Sequence, residues 1–244
     1  MKRIGALFLL LAGSLAVAQQ PPREIYRVHF FKAAPGKLPD LIDAYKNYPA
    51  PDASSPRPLV FRHSEGADWD LLVIYPLGAQ ASLNANPAPP SDAMKSFRDR
   101  VMADYSWHVD TYAGGPPLAE VQKALNAPRD YSENSAASSG AAVYEVEQFT
   151  ALPGQHDALG QLLARDRAAS GAAASVGFEH IMGDSWDFLQ ILRYNSWQEL
   201  AAGESGSAAD ALARAQGFAN ADAIGLELRQ HISAHQDTIA GRVF

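Results

Sequence analysis

The sequence predicts an α+β fold made of two like modules in one chain, and three observations predict it. The stretch Phe61-Arg62-His63-Ser64-Glu65-Gly66-Ala67-Asp68-Trp69-Asp70 returns as Phe178-Glu179-His180-Ile181-Met182-Gly183-Asp184-Ser185-Trp186-Asp187, with Phe, His, Gly, Trp and Asp in register. The segments around both copies follow the same order of strand, helix, hairpin and helix. A module of that kind covers one sheet face with helices and leaves the other bare, so it needs a second sheet, which the duplication supplies. The expected architecture is therefore two modules packed sheet to sheet, as the subunits of a pseudo-dimer.

The elements follow from residue spacing. Glu24 to Phe31 alternates, with Tyr26, Val28 and Phe30 on one face and Arg27, His29 and Phe31 on the other. Ala34-Pro35-Gly36 breaks this strand, and Leu38, Leu41, Ile42 and Tyr45 then recur at helical spacing. Leu59 to His63 and Trp69 to Pro76 form a hairpin around Gly66. Ser91 or Asp92 caps a helix whose apolar positions run Phe97, Val101, Tyr105, His108 and Tyr112, up to Gly114-Gly115. After a Pro-, Ser- and Ala-rich connector with a short helix over Leu118 to Leu125, the order repeats. Val143 to Phe149 matches the first strand, and Leu159, Leu162 and Leu163 mark the next helix. Val176 to His180 and Trp186 to Arg193 give the second hairpin. Ala221 to Ala240 gives a last helix carrying Ile224, Leu228, Ile232, His235 and Ile239. The expected boundaries are 1–18, 19–115, 116–141 (the connector) and 142–244.

Residues 1–18 read as a signal peptide. A basic start at Lys2-Arg3 precedes an apolar run from Ile4 to Val17, and Ala16-Val17-Ala18 is a small-x-small cleavage site before Gln19. The expected address is periplasmic or secreted. The chain has no cysteine, so a hydrophobic core rather than disulfides must hold it together. A net charge of −7 argues against nucleic acid and anionic membranes as partners. No later stretch is long enough to span a bilayer. A small molecule is the expected partner, with further self-association left open.

The order of elements, with Pro-Gly after the first strand and Trp197-Gln198-Glu199-Leu200 after the second hairpin, resembles the ferredoxin-like modules of the dimeric α/β-barrel superfamily. That superfamily includes antibiotic-biosynthesis-type monooxygenases and NIPSNAP-like proteins. The resemblance implies a cofactor-independent oxygenase or isomerase-like activity. It also implies an alternative, haem binding through a histidine of the final helix, for which His108 and His235 are the candidates.

Two sets of polar residues stand out. Arg27, His29 and Arg62 of the first half correspond to Glu145, Glu147 and Glu179 of the second. On strand faces turned away from the helices they would form ion pairs inside the barrel, or line a polar pocket there. The other set is unchanged between halves. His63 and His180 share strand faces with Phe61 and Phe178, and His108 and His235 lie on apolar helix stripes. Each half then brings two histidines between sheet and helix, as catalytic candidates or as buried residues satisfied by one hydrogen bond. Tyr26 and Tyr144 would border these spaces, and Trp69 and Trp186 would close their rims as ligand contacts. The i, i+4 pairs Asp104/His108 and His231/His235 lack the glutamate of a zinc-protease motif, so no metal site is assigned. A third reading is a structural or interaction protein without an activity.

Overall fold

The structure, a computed structural model, describes residues 23–52, 55–79, 89–126, 142–204 and 206–243. The expected signal peptide, residues 1–18, and the Ser/Ala/Gly part of the connector lie outside the described residues. Among these, eight strands run β1 (Glu24–Ala33), β2 (Leu59–Glu65), β3 (Leu71–Ala79), β4 (Tyr105–Gly115), β5 (Val143–Ala151), β6 (Ala174–Met182), β7 (Phe188–Tyr194) and β8 (Ile232–Arg242). The helices are α1 (Leu38–Lys46), α2 (Asp92–Asp104), α3 (Leu118–Ala124), α4 (His156–Ala169), α5 (Trp197–Glu204), α6 (Gly206–Ala215) and α7 (Ala221–Leu228).

The strands close into one antiparallel barrel in the order β1-β3-β2-β8-β5-β7-β6-β4. Within it, β4-β1-β3-β2 and β8-β5-β7-β6 repeat one order, and the two sets join along β2–β8 and β4–β6. Closure removes both open edges, which otherwise would offer unpaired backbone groups.

One expectation is overturned here. The helix predicted from Ser91 to Tyr112 ends at Asp104, and Tyr105 to Gly115 is a strand; likewise α7 ends at Leu228 and β8 carries His235. The reason is local. A register shift in the β1–β4 ladder between Lys32 and Ala33 pairs Lys32 with Trp107 but Ala33 with Tyr105. This bulge turns Tyr105 and His108 toward each other, with ring centroids 4.6 Å apart, so an i, i+3 contact arises in a strand. His108 and Tyr112 then share a face as any i, i+4 strand pair does.

Alternation sorts every strand. Tyr26, Val28, Phe30, Leu59, Phe61, Leu72, Ile74, Tyr144, Val146, Val176, Phe178, Leu189 and Ile191 point into the barrel and form one core drawn from both halves. Tyr26 packs edge-on against Phe178, and Phe61 against Tyr144, each with centroids 5.1 Å apart. Val121 and Leu125, on and just after α3, join this core, so α3 plugs one end. The opposite strand faces carry α1 and α2 in the first half and α4, α6 and α7 in the second. The expected ion pairs of the barrel interior are thus a misassignment. Arg62 is exposed, Glu179 pairs with Arg23 at 2.5 Å, and Arg27, His29 and Glu147 face the helices.

The repeated stretch builds the two joints. Gly66 and Gly183 hold φ of +111° and +129°, and a Cβ there would lie 2.4 Å from the Asp237 carbonyl oxygen and 2.2 Å from that of Asp110. Both the backbone conformation and the close approach require glycine. Ala67 N donates to Thr238 Oγ1, and Asp184 N to Thr111 Oγ1. Asp70 and Asp187 accept from the backbone N–H groups of Ala33 and Ala151 at 2.8 and 2.7 Å, tying each hairpin to the end of the first strand of its half. We expect Gly183→Ala to destabilise the protein by about 2 kcal/mol or more, through strain at positive φ and displacement of β4. Thermal melting checks this; a variant that melts with the wild type would contradict it.

Candidate functional site

The histidines expected to work in pairs are separated by the sheet. His63 and His180 point to the barrel side beside Trp69 and Trp186, with ring centroids 5.6 and 5.7 Å apart. Both tryptophans are buried core residues rather than rim residues. Tyr26 and Tyr144 are also interior, their hydroxyls donating to the carbonyls of Pro116 and Leu125 at 2.6 and 2.9 Å. His108 and His235 face the other way, toward the helices. The strand face explains this: Phe61 and His63 share the inward parity of β2, whereas His108 lies outward on β4.

The outward face of the first half, under α1 and α2, holds a cavity of about 400 Å³. Arg27, His29 and Phe31 line it from β1, Tyr75 from β3, and His108 and Asp110 from β4, with Tyr45, Tyr48, Phe97 and Val101 above. Ser91 starts α2 by accepting from Met94 N at 3.2 Å, which places Phe97 and Val101 over the sheet. His29 is the residue the sequence reading left out of the catalytic set. It is only 7% exposed, and neither ring nitrogen completes a hydrogen bond within the protein. Its Nδ1 stands 2.9 Å from Asp110 Oδ1, within ion-pair distance but off a hydrogen-bonding line. His108 Nε2 approaches the same carboxylate oxygen at 3.5 Å, and the two imidazoles stack at 6.2 Å. Asp110 therefore serves both histidines. On a helix a residue two positions after His108 would point elsewhere; on β4 it shares its face.

Burial drives His29 below the ordinary histidine pKa, with Arg27 and His108 reinforcing this and Asp110 opposing it. Burial alone would raise Asp110, but contact with His29 and the charges of His108 and Arg27 hold it below the usual carboxylate range. The result is a neutral imidazole backed by a carboxylate, in an apolar space. The phenols above it stay protonated. Burial raises Tyr45, Tyr48 and Tyr75, and the Tyr45 and Tyr75 hydroxyls share a hydrogen bond of 2.8 Å.

The second half fills the matching place differently. Glu147 stands for His29, Glu145 for Arg27, and Gln190, paired with Glu147 across β5–β7, for Val73. Gln190 Nε2 donates to Glu147 at 2.9 Å and to Asp166 at 3.3 Å, while its Oε1 accepts from Arg167 at 2.5 Å. His235 stacks on Phe149 at 4.5 Å and meets Asp237 at 2.6 Å. Among the described residues Glu147, His235 and Asp237 are the group whose donor atoms, all within 4.8 Å of one another, could hold a cation. A larger cavity of about 450 Å³ lies beside α4, where Arg23 pairs with Glu179, His156 with Asp157, and Arg167 donates to Gln190 Oε1.

The haem reading loses its premise. His108 and His235 sit on strands, and the Nε2 of each is turned to an aspartate, at 3.5 and 2.6 Å. Neither is presented as an axial ligand, so these residues do not fit haem as the resemblance implied.

No family model and no curated protein matches the sequence. Solved structures do match in fold. A "putative monooxygenase" from Lactobacillus acidophilus is 8% identical with a TM-score of 0.56, covering 91% of this chain and 95% of its own. An anthrone oxidase-like protein is 13% identical with a TM-score of 0.56, over 92% and 93%. A further protein described as a monooxygenase in the same way, from Fusobacterium nucleatum, is 6% identical with a TM-score of 0.52, over 93% and 94%. The α+β fold with eight antiparallel strands is therefore shared by proteins of that description.

The carboxylates of the second half yield a stability prediction. Burial, then Glu145, Asp166 and Asp237, raise Glu147 well above its ordinary pKa, against Gln190. A raised carboxylate binds its proton more tightly in the folded protein, so stability falls as pH rises from about 4.5 through the folded value. Glu147→Gln keeps the hydrogen bond to Gln190 and removes the titration. Its melting temperature should exceed that of the wild type by a few degrees at pH 8, and the gap should close toward pH 5; a gap that widens at pH 5 would contradict the assignment.

Proposed function

We propose that the protein binds a small aromatic molecule in the cavity of the first half and acts on it as a cofactor-independent oxygenase, with His29 as the base. The observation that carries this reading is His29 itself: buried, held neutral, unpartnered at Nε2, and backed by Asp110. The cavity volume is in the range of small-molecule sites, and its walls are largely aromatic. His108 stays in the site as a second imidazole on Asp110. The fold shared with proteins described as monooxygenases and as anthrone oxidase-like is compatible with this chemistry.

In the reaction, neutral His29 takes a proton from an activated CH2 group flanked by aromatic rings, and the resulting imidazolium is stabilised by Asp110. The electron-rich carbanion combines with dioxygen to give a peroxide anion, which takes the proton back from His29 and becomes a hydroperoxide. Loss of water from the hydroperoxide leaves a ketone, so CH2 and O2 become C=O and H2O. Apolar walls keep bulk water from quenching the carbanion.

Three further elements belong to this reading. The two halves arose from one duplicated module, each standing for one subunit of a pseudo-dimer; the repeated strand order and the matched roles of Gly66 with Gly183 and Asp70 with Asp187 support it. The first half is the active one, because Glu147 replaces its base in the second. Residues 1–18 direct export.

Oxygen uptake with anthrone, without added metal or cofactor, tests the activity. We expect His29→Gln to lower kcat/KM by about 100-fold or more, and Asp110→Asn to lower it by a similar order. The acid limb of the wild-type pH profile should fall below the ordinary histidine value of about 6.5, because the base must be unprotonated and burial depresses it. In Asp110→Asn it should move lower still, since Asp110 holds the His29 value up. Turnover without oxygen uptake would convert the reading to an isomerase. Full activity in His29→Gln would overturn the site.

A further inference from the structure

Arg27 is a cation of the cavity wall for which the proposed chemistry has no use. Its guanidinium lies over the Tyr75 ring, 4.8 Å from the centroid, and its Nε is buried without a hydrogen-bond partner. Among the described residues no carboxylate stands within ion-pair distance of it, nor of Arg98, which lines the same cavity from α2. The one carboxylate on that wall, Asp110, is already shared by His29 and His108. Arg27 and Arg98 both act on the phenol of Tyr48. A chain of net charge −7 thus places two guanidinium groups, with no carboxylate in ion-pair distance, in the wall of one aromatic cavity. A half-buried guanidinium without a counter-ion costs desolvation energy that a bound anion would recover.

The spacing is also definite. Arg27 and His29 lie two residues apart on one face of β1, so their side chains start about 7 Å apart. Tyr75 sits opposite Arg27 in the ladder, and Asp110 opposite His29. The cavity is therefore bipolar, with a guanidinium and phenol hydroxyls at one pole and the Asp110-backed base at the other. Phe31, Phe97 and Val101 contribute apolar wall to the cavity.

We infer that the substrate is an aromatic carboxylic acid, bound with its carboxylate on Arg27 and its reacting position toward His29. The planar guanidinium of Arg27 matches a planar carboxylate through paired N–H donors. Arg27 is thus a specificity-determining residue. The inference rests on the reading of this cavity as the ligand site, but not on the reaction performed there. In the second half Glu145 stands at the position of Arg27.

Affinities for two fluorescent probes of equal ring size, 6-hydroxy-2-naphthoate and 2-naphthol, test it at pH 7 and constant ionic strength. The wild type should bind the naphthoate about 10–100-fold more tightly, as one charge-assisted contact in a desolvated site provides. Arg27→Gln should weaken naphthoate binding until the two affinities agree within about twofold, leaving naphthol unchanged, and Arg27→Lys should fall between. Equal wild-type affinities, or a parallel loss of both probes in Arg27→Gln, would overturn the inference. The wild-type ratio decides the matter even if Arg27→Gln fails to fold. Carboxylate preference without oxygen uptake on any aromatic acid would leave this inference standing and remove the oxygenase reading. Oxygen uptake on neutral anthrone with no carboxylate preference would do the reverse.

Discussion

The structure depends on the closure of eight strands around an apolar interior. Once the barrel closes, alternate residues of each strand face either that interior or the outer side that carries the helices. The interior takes the aromatic and branched side chains of both halves, Tyr26 against Phe178 and Phe61 against Tyr144, and makes the halves one core. Polar residues are thereby directed outward, beneath the helices. Closure rests on tight joints where each hairpin turn lies on a strand of the other half, Gly66 on Asp237 and Gly183 on Asp110. The second of these lies under the site itself. The backbone that presents Asp110 to His29 and His108 is in contact with the turn of the second hairpin.

From this common frame the two helix-side faces part company. The first has imidazoles, arginines and phenols around open space, with one aspartate between two histidines. The second has carboxylates knitted together by a buried glutamine and an arginine. In the proposed reaction the difference between His29 and Glu147 matters, because a buried neutral imidazole can accept a proton near neutrality, whereas burial, and then its acidic neighbours, raise the Glu147 pKa and favour its protonated form. Different chemistry on two faces is open to a single chain, since equivalent strands need not carry equal residues.

Much of the architecture was legible from periodicity. The strand, the helix after Pro-Gly, and the hairpin of each half follow from alternation, from i, i+3 and i+4 spacing, and from the turn glycines. Tyr105 to Tyr112 was not, because residues four apart share a face in both helix and strand, and the bulge beside Tyr105 adds an i, i+3 contact. With that segment as helix, Asp110 pointed away from His108, and the carboxylate of the site was lost. Face assignment failed for a second reason. The more apolar face of the first strand was taken to lie against the helices, but in a closed barrel it fills the interior, and Arg27 and His29 line the helix-side cavity. The repeated histidines and tryptophans drew attention by their repetition. His63, His180, Trp69 and Trp186 belong to the barrel and its joints, where both halves need the same residue. The residues that differ, His29 and Arg27, line the proposed site.

The central claim is that ligands enter the helix-side space of the first half and meet His29. Nitrogen NMR of the histidine side chains during titration with 2-naphthol measures this most directly. The account predicts that the His29 ring nitrogens shift first and most, with smaller changes at His108 and none at His63, His180 or His235. Shifts confined to His235, or to His63 and His180, would place the ligand in the second half or the barrel and contradict it.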